Sequence, residues 1–388
     1  MTTMPPAVHH TLSGSAVARL TGSPDPAGEP VQLGVHELGD GADRPAVVFS
    51  HGFPELAYSW RHQLPAVADA GFRAIAPDQR GYNRSSAPEA IEAYGLGQLC
   101  GDLVDLLDAL EIDKAVFVGH DWGGFVVWAM PVLFPERCAG VAGICTPYTP
   151  FPGTDFLRSM FGNDEDMYML WFQQPGVAEA SMDQHPRKVF EKLMVGGVDP
   201  AILAERGTAR AAGMTFNPFK DLDAVPELGE RIANDEELDV YGEAFERTGF
   251  RGGINWYRNI DANGTNYPGV GTQPLERTSM RPMRTGTPSA APVLLSISGR
   301  QRSMCGRIAQ CSVSHAVRTT PQSTPSATMA VLAALRNHCQ RRGNAASDPG
   351  DTMETITPIY TAVATASGDG RNGHAVSGDG ILDLDLRV

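Results

Sequence analysis

The C-terminal third of this 388-residue chain is short of the residue types that build cores and catalytic sites. Of 29 aromatic side chains, residues 268–388 hold only Tyr360, and the last lysine is Lys220. From Arg277 to Ser347 there is no aspartate or glutamate, although ten arginines fall there, so no carboxylate in that stretch can orient a base. Serine, threonine, proline and glycine fill the gaps, and only TMAVLAALRNHC (328–339) has a helical look. Other shortages run through the whole chain. Its six cysteines (Cys100, Cys138, Cys145, Cys305, Cys311, Cys339) form no CxxC and no metal-ligand spacing. The expectation is a set of reduced thiols in a cytoplasmic protein. No apolar run reaches the roughly 18 residues a membrane span needs. The N-terminus MTTMPPAVHHTLSGSAVARL lacks a charged leader followed by an apolar segment, so secretion is not expected. Basic side chains are also scarce: 31 against 45 acidic ones give a net charge of −14. That balance argues against a nucleic-acid partner and against a basic membrane-surface patch.

What remains is rich in order up to about residue 262. VQLGVHEL (31–38) alternates as a strand does, and PAVVFSHGF (45–53) is a short apolar run ending at glycine, the mark of a buried parallel strand. RAIAP (73–77) is another such run, leading into the turn DQRGYNRSS. Leu99, Leu103, Leu106, Leu107 and Leu110 recur at helical spacing, with Asp102, Asp105 and Asp108 on the other face. KAVFVGHDWGG (114–124) is a buried strand breaking into a glycine-rich turn, followed by the helical FVVWAMPVLF. Strands alternating with helices imply an α/β fold, a mostly parallel sheet with helices on both faces. Residues 148–256 differ, with helix-like segments such as RKVFEKLM (187–194) and EELDVYGEAFERTGF (236–250), and suggest a helical insertion.

Two motifs carry chemistry. Gly119-His120-Asp121-Trp122-Gly123-Gly124 ends a buried strand with the glycine spacing of a nucleophile elbow, with aspartate in the nucleophile's place. Such a turn lifts the side chain out of the sheet and turns the next N–H, that of Trp122, toward a reacting oxygen. Upstream, His51-Gly52-Phe53-Pro54-Glu55 follows another apolar strand and can supply the Phe53 N–H as a second oxyanion donor. Alone, the first reads more often as an ordinary turn, and the second reads also as a proline-stiffened turn after a strand. Together and in this order they point to covalent catalysis.

The run HGFPE, DQRGYNRSSAP and GHDWGG resembles the epoxide hydrolase branch of the α/β-hydrolase fold. Tyr168 in YMLWFQQPGVAEA and Tyr257 in GFRGGINWYRNID are similar to the family's cap-domain tyrosine motifs, and the resemblance covers about residues 30–262. It implies a cap-covered core that converts a small apolar epoxide and water to a vicinal diol, with no cofactor and no metal. Asp121 is then the nucleophile, giving an alkyl-enzyme ester. Tyr168 and Tyr257 are the acids at the ring oxygen, Phe53 and Trp122 supply the oxyanion hole, and His51, Gly52 and Pro54 form the supporting loop. The implied division is 1–147 for the N-terminal part of the core, 148–262 for the helical cap and 263–388 for an atypical segment in place of the rest of the core.

The second half of that chemistry finds no match. The family's histidine base lies after the cap in a Cys-Gly-His-Trp type turn, oriented by an acid that follows a strand, and neither motif is present. His315, His338 and His374 are the histidines available, and none has the expected neighbours. His315 is the least implausible. Base and orienting acid are therefore unassigned. The codons of Met283-Arg284-Thr285-Gly286-Thr287-Pro288, read two bases on, permit alanine, aspartate, tryptophan, aspartate, alanine and valine, a run that resembles the family's acid-bearing stretch. The expectation is that the reading frame changes near Asn263, which would account for both the match and the mismatch. The expected consequences are missing core strands and slow release of Asp121. Two other readings stay open: a haloalkane dehalogenase-like hydrolase, and a catalytically dead protein that only holds an apolar ligand.

Overall fold

The computed structural model of the chain describes residues 4–39, 41, 44–196, 217–225, 230–273, 294–297, 365–367, 372–376 and 383–387. Its centre is a sheet built from the apolar runs. In chain order these are β1 (Val8–Thr11), β2 (Gln32–Leu38), β3 (Ala46–Ser50), β4 (Arg73–Pro77), β5 (Ala115–His120) and β6 (Cys138–Ile144). A two-residue pair, β7 (Val195–Gly196) with β8 (Glu230–Arg231), lies apart from it, and β9 (Leu294–Ile297) closes the main sheet in the order β1-β2-β4-β3-β5-β6-β9. The β1–β2 and β2–β4 pairs are antiparallel, and the others run parallel. All five residues of β3 are buried, as expected of a strand covered on both faces.

The chain order places β4 on one side of β3 and β5 on the other. At such a reversal the loops leaving the C-terminal strand ends diverge and open a crevice, where α/β folds bind ligands. Ser50 of β3 pairs with Gly119 of β5, so HGFPE and Asp121 leave the sheet side by side.

Helices α2 (Gln63–Asp69), α3 (Leu96–Ala109) and α4 (Trp122–Leu133) pack on the sheet, and α1 (Ser15–Thr21) packs on α3. Along α3 the leucines face the core as their spacing requires, but the aspartate face is not a solvated one. Asp102 and Asp105 are buried. Asp102 takes a two-pronged contact from buried Arg80, and Asp105 accepts from Ser13, Ser15 and the Ala16 N–H at the start of α1. Only Asp108 reaches solvent.

Among the described residues between Thr154 and Asn266 helices predominate, including Tyr168–Trp171, Pro186–Leu193, Asp235–Thr248, Arg251–Arg258 and Ile260–Asn266. The fourteen-residue helix of this group is held at its start by a capping box, in which the Asn234 side chain accepts from Glu237 N–H and Glu237 accepts from Asn234 N–H.

No strand is expected from the sequence beyond residue 268, and here the structure differs. The apolar run LLSI forms β9 along β6, whose open edge offers unpaired N–H and C=O groups to an added strand. A three-stranded antiparallel sheet, β10 (Thr365–Ser367), β11 (Asn372–Val376) and β12 (Asp383–Arg387), follows. His374 lies on β11. His315, His338, segment 328–339 and residues 283–288 fall outside the described residues. No described helix is long and apolar enough to cross a membrane.

Candidate active site

Asp121 sits on the turn between β5 and α4 with φ 54° and ψ −121°, a backbone conformation disfavoured for a residue with a Cβ. The flanking glycines make it possible. A Cβ on Gly123 would run into the carbonyl of Ser50, and one on Gly119 into the carbonyl of Gly123. The turn is therefore pressed against the end of β3, which brings the HGFPE loop to the carboxylate. Phe53 N–H donates to Asp121 Oδ1 at 3.0 Å, and Trp122 N–H also bonds this carboxylate. Thr146 Oγ1 donates to the Asp121 carbonyl at 2.7 Å, which fixes the turn from the β6 side.

Burial pushes the Asp121 carboxyl above the ordinary aspartate value, while the His120 charge and the N–H groups of Phe53 and Trp122 work against that rise. The start of α4, where N–H groups of the first turn point outward, adds a favourable field for an anion.

Opposite Asp121 stand the two tyrosines. Tyr168 opens the short helix Tyr168–Trp171, and Tyr257 lies near the end of Arg251–Arg258. Their rings cross at 77° with centroids 5.7 Å apart, and their hydroxyls are hydrogen-bonded to each other. Tyr257 also packs edge-to-face on Phe53 (5.2 Å) and on Trp122 (5.1 Å). Its backbone is pinned by Gln173 Nε2, which donates to the Tyr257 carbonyl at 2.9 Å. Burial first, then the neighbouring Tyr168 and Asp121, push the Tyr257 hydroxyl well above the ordinary phenol value. It therefore stays a proton donor at neutral pH. Phe53, Pro54, Asp121, Tyr168, Leu193, Phe219 and Tyr257 line one cavity of about 10 Å³, room for a single water. The carboxylate and the phenols expected from sequence thus converge, with apolar walls between them.

The supporting loop is tied from below. His51 is buried, with Nδ1 2.9 Å from the Gly52 carbonyl and Nε2 accepting from Gln79 N–H at 3.1 Å. Burial depresses its pKa, so it is a neutral imidazole with both nitrogens engaged. His51 is a brace and has no free nitrogen for a water.

One element of the site has no counterpart in the sequence analysis. Glu55 and His120 form a buried ion pair, Oε2 to Nδ1 at 3.0 Å, beside the nucleophile. Glu55 also accepts from Gly52 N–H at 2.8 Å, which links the pair to the loop that carries Phe53. Burial opposes charge on both groups, yet their mutual attraction holds Glu55 below its ordinary value and His120 well above its own. Each belongs to one of the two motifs, HGFPE and GHDWGG, and that membership was the only signal available.

Comparison with known proteins points the same way. A family model described as the alpha/beta hydrolase fold matches residues 45–190. Epoxide hydrolase A of Mycobacterium tuberculosis is 48% identical over 240 residues, which are 60% of this chain and 72% of that protein. Bifunctional epoxide hydrolase 2 of Sus scrofa is 41% identical over 234 residues, 60% of this chain but only 40% of that longer protein. Among solved structures, Epoxide Hydrolase A from Mycobacterium thermoresistibile superposes with a TM-score of 0.58 at 39% identity, covering 76% of this chain and 82% of the other.

Proposed function

Because the chain belongs to the epoxide hydrolase branch of the α/β-hydrolase fold, we propose that it opens small apolar epoxides through an alkyl ester on Asp121. The observation that carries this reading is the convergence of one buried carboxylate and two hydrogen-bonded phenols on a single apolar cavity. Asp121 Oδ1 is held by the Phe53 N–H, which leaves Oδ2 to attack the ring carbon. The carbon–oxygen bond breaks as the new ester bond forms, and Tyr168 and Tyr257 donate to the departing oxygen. A positioned acid of this kind contributes roughly 10²–10⁴-fold. The helices of 148–262 act as the cap that brings these phenols over the core.

Release of the diol needs water to attack the ester carbonyl, whose oxygen is Oδ1 of Asp121 itself. The Phe53 N–H therefore already points at the atom where negative charge develops, with the Trp122 N–H at the same carboxylate, and each such donor is worth about 3 kcal/mol of barrier. A base to activate the water is a different matter. Among the described residues, His51 has both nitrogens engaged and His120 is held in its charged form, so neither accepts a proton. The ester on Asp121 accordingly forms faster than it is hydrolysed.

Mixing the chain with styrene oxide and mapping its peptides by mass spectrometry tests this reading. The expected result is one adduct on the peptide carrying Asp121, absent in Asp121→Asn. A ligand-binding protein without chemistry gives no adduct. A dehalogenase-like enzyme gives its adduct with a haloalkane and not with the epoxide, since halide release calls for indole or amide donors where this site presents phenols.

A further inference from the structure

The cavity beside Asp121, at about 10 Å³, holds one water, whereas an epoxide bearing an alkyl or aryl group needs room for several carbon atoms. That group has to take its space from a wall, and most of the walls are committed. Asp121 sits on the elbow fixed by Thr146, and Phe53 and Pro54 belong to the loop whose Gly52 N–H is held by Glu55. Tyr257 is pinned through its backbone by Gln173, and Tyr168 carries the second phenol. Leu193 and Phe219 remain, both apolar. Leu193 ends the helix Pro186–Leu193 and presents only a short branched chain. Phe219 presents a ring that is 1% exposed, its centroid 5.3 Å from that of Phe172, 5.7 Å from Tyr168 and 6.0 Å from Phe53. The ring fills the space beside one phenol and beside the loop that holds Asp121. Its backbone is tied on both sides: Phe219 N–H donates to Asn217 Oδ1 at 3.2 Å, and Ser181 Oγ donates to the Phe219 carbonyl at 3.0 Å. Asn217 Nδ2 in turn donates to the Glu165 carbonyl at 3.0 Å. A ring on a tethered backbone yields only by turning about its own side-chain torsions, between a few staggered positions.

We infer that Phe219 is the residue that sets which epoxides the site accepts, admitting those with a group on one epoxide carbon and rejecting those with bulky groups on both. The inference rests on the epoxide reading. Asp121 on one side and the two phenols on the other fix the three-membered ring, which leaves its substituents to the apolar walls. A second bulky group then meets the Phe219 ring, and a packed wall accepts added carbon atoms only at the cost of strain. Phe219→Ala removes the ring yet keeps both tethers, because Asn217 and Ser181 bond main-chain atoms of residue 219. The surroundings of a truncated core side chain relax only partly, so the space opened stays available.

The test compares Asp121 adduct formation from styrene oxide with that from trans-stilbene oxide, which carries a phenyl group on each epoxide carbon. Phe219→Ala is expected to raise the ratio of the trans-stilbene oxide rate to the styrene oxide rate at least tenfold, since one hydrophobic contact changes discrimination by roughly 10–200-fold. Leu193→Ala is expected to change that ratio by less than about threefold. Phe219→Leu should fall between the original chain and Phe219→Ala, and carries the test if the alanine variant does not fold. An unchanged ratio, with both epoxides slowed alike, overturns the inference and makes Phe219 only packing for Tyr168. An equal rise from Leu193→Ala overturns it too. A second measurement needs no ring opening. In the Asp121→Asn chain, adding Phe219→Ala is expected to tighten the binding of trans-stilbene oxide at least tenfold, read by equilibrium dialysis. If the original chain forms no adduct with either compound, the epoxide reading fails, and this comparison still decides the role of Phe219: equal binding with and without the ring overturns it.

Discussion

Gly252 lies against Gly81 so closely that a Cβ on Gly252 would come within 2.5 Å of the Gly81 Cα. The DQRGY turn of the core and the helix bearing Tyr257 thus meet backbone to backbone. Next to this contact, a Cβ on Gly253 would meet the Tyr82 hydroxyl and the Phe53 ring. The phenol is held over the carboxylate by this absence of side chains. Gly252→Ala is expected to displace the helix, costing about 1–3 kcal/mol of stability from overpacking. The rate of Asp121 adduct formation is expected to fall more than tenfold, because sub-ångström placement matters in ring opening. Thermal melting and adduct kinetics on the same preparation check both.

Removing either phenol hydroxyl should weaken the acid without emptying the cavity. Tyr257→Phe and Tyr168→Phe are each expected to slow ring opening by roughly 10²–10⁴-fold. The double variant should lose less than the product of the two, since each hydroxyl is hydrogen-bonded to the other. Single-turnover adduct formation measures all three.

The Glu55–His120 pair is buried, and breaking it leaves an uncompensated charge. Glu55→Gln is expected to cost about 3 kcal/mol or more, read from denaturant unfolding. The pH window follows from the directions of the two shifts. Glu55 is depressed when folded, so its contribution is present above the ordinary glutamate value and fades as pH falls through the lower folded value. His120 is raised when folded, so its contribution is complete below 6.5 and is lost progressively as pH rises from there through the raised folded value. The plateau should therefore lie between the ordinary glutamate value and 6.5, with stability declining as pH rises above 6.5, and Glu55→Gln should lose most of that plateau.

Ring opening needs ionised Asp121, whose pKa is raised above the ordinary 3.8. Adduct formation is thus expected to decline on acidification with an apparent pKa above 3.8. On the alkaline side Tyr257, raised well above 10.0, keeps its proton, so no loss from that group is expected below pH 10. A pH–rate profile of adduct formation reads both limbs.

The core and the carboxylate were legible in the sequence because their signals are local. A buried strand running into closely spaced glycines defines the elbow at Asp121, and another running into HGFPE defines the loop beside it. Their adjacency follows from parallel pairing of the two strands. Tyr168 and Tyr257 came only with the family resemblance, since an aromatic residue among aromatics carries no signal of its own. The Glu55–His120 pair was not legible: it joins two loops 65 residues apart through side chains whose direction depends on how the turns pack. The burial of Asp102 and Asp105 on α3 was not legible for a related reason. Spacing assigns a face to water only when nothing packs on it, and Arg80 and the start of α1 do. Strand β9 was missed because three apolar residues and a serine, in a serine- and proline-rich stretch, gain strand character from the edge of β6.

The account rests on Asp121 being alkylated faster than it is released. The direct measurement is diol formed per chain when the protein meets excess styrene oxide, followed together with the fraction of chains carrying the Asp121 ester. The expected result is a burst of adduct on nearly every chain, with diol appearing far more slowly than the adduct. Rapid, sustained diol formation with little adduct at any time would contradict it, and would mean that an effective base reaches the Asp121 ester.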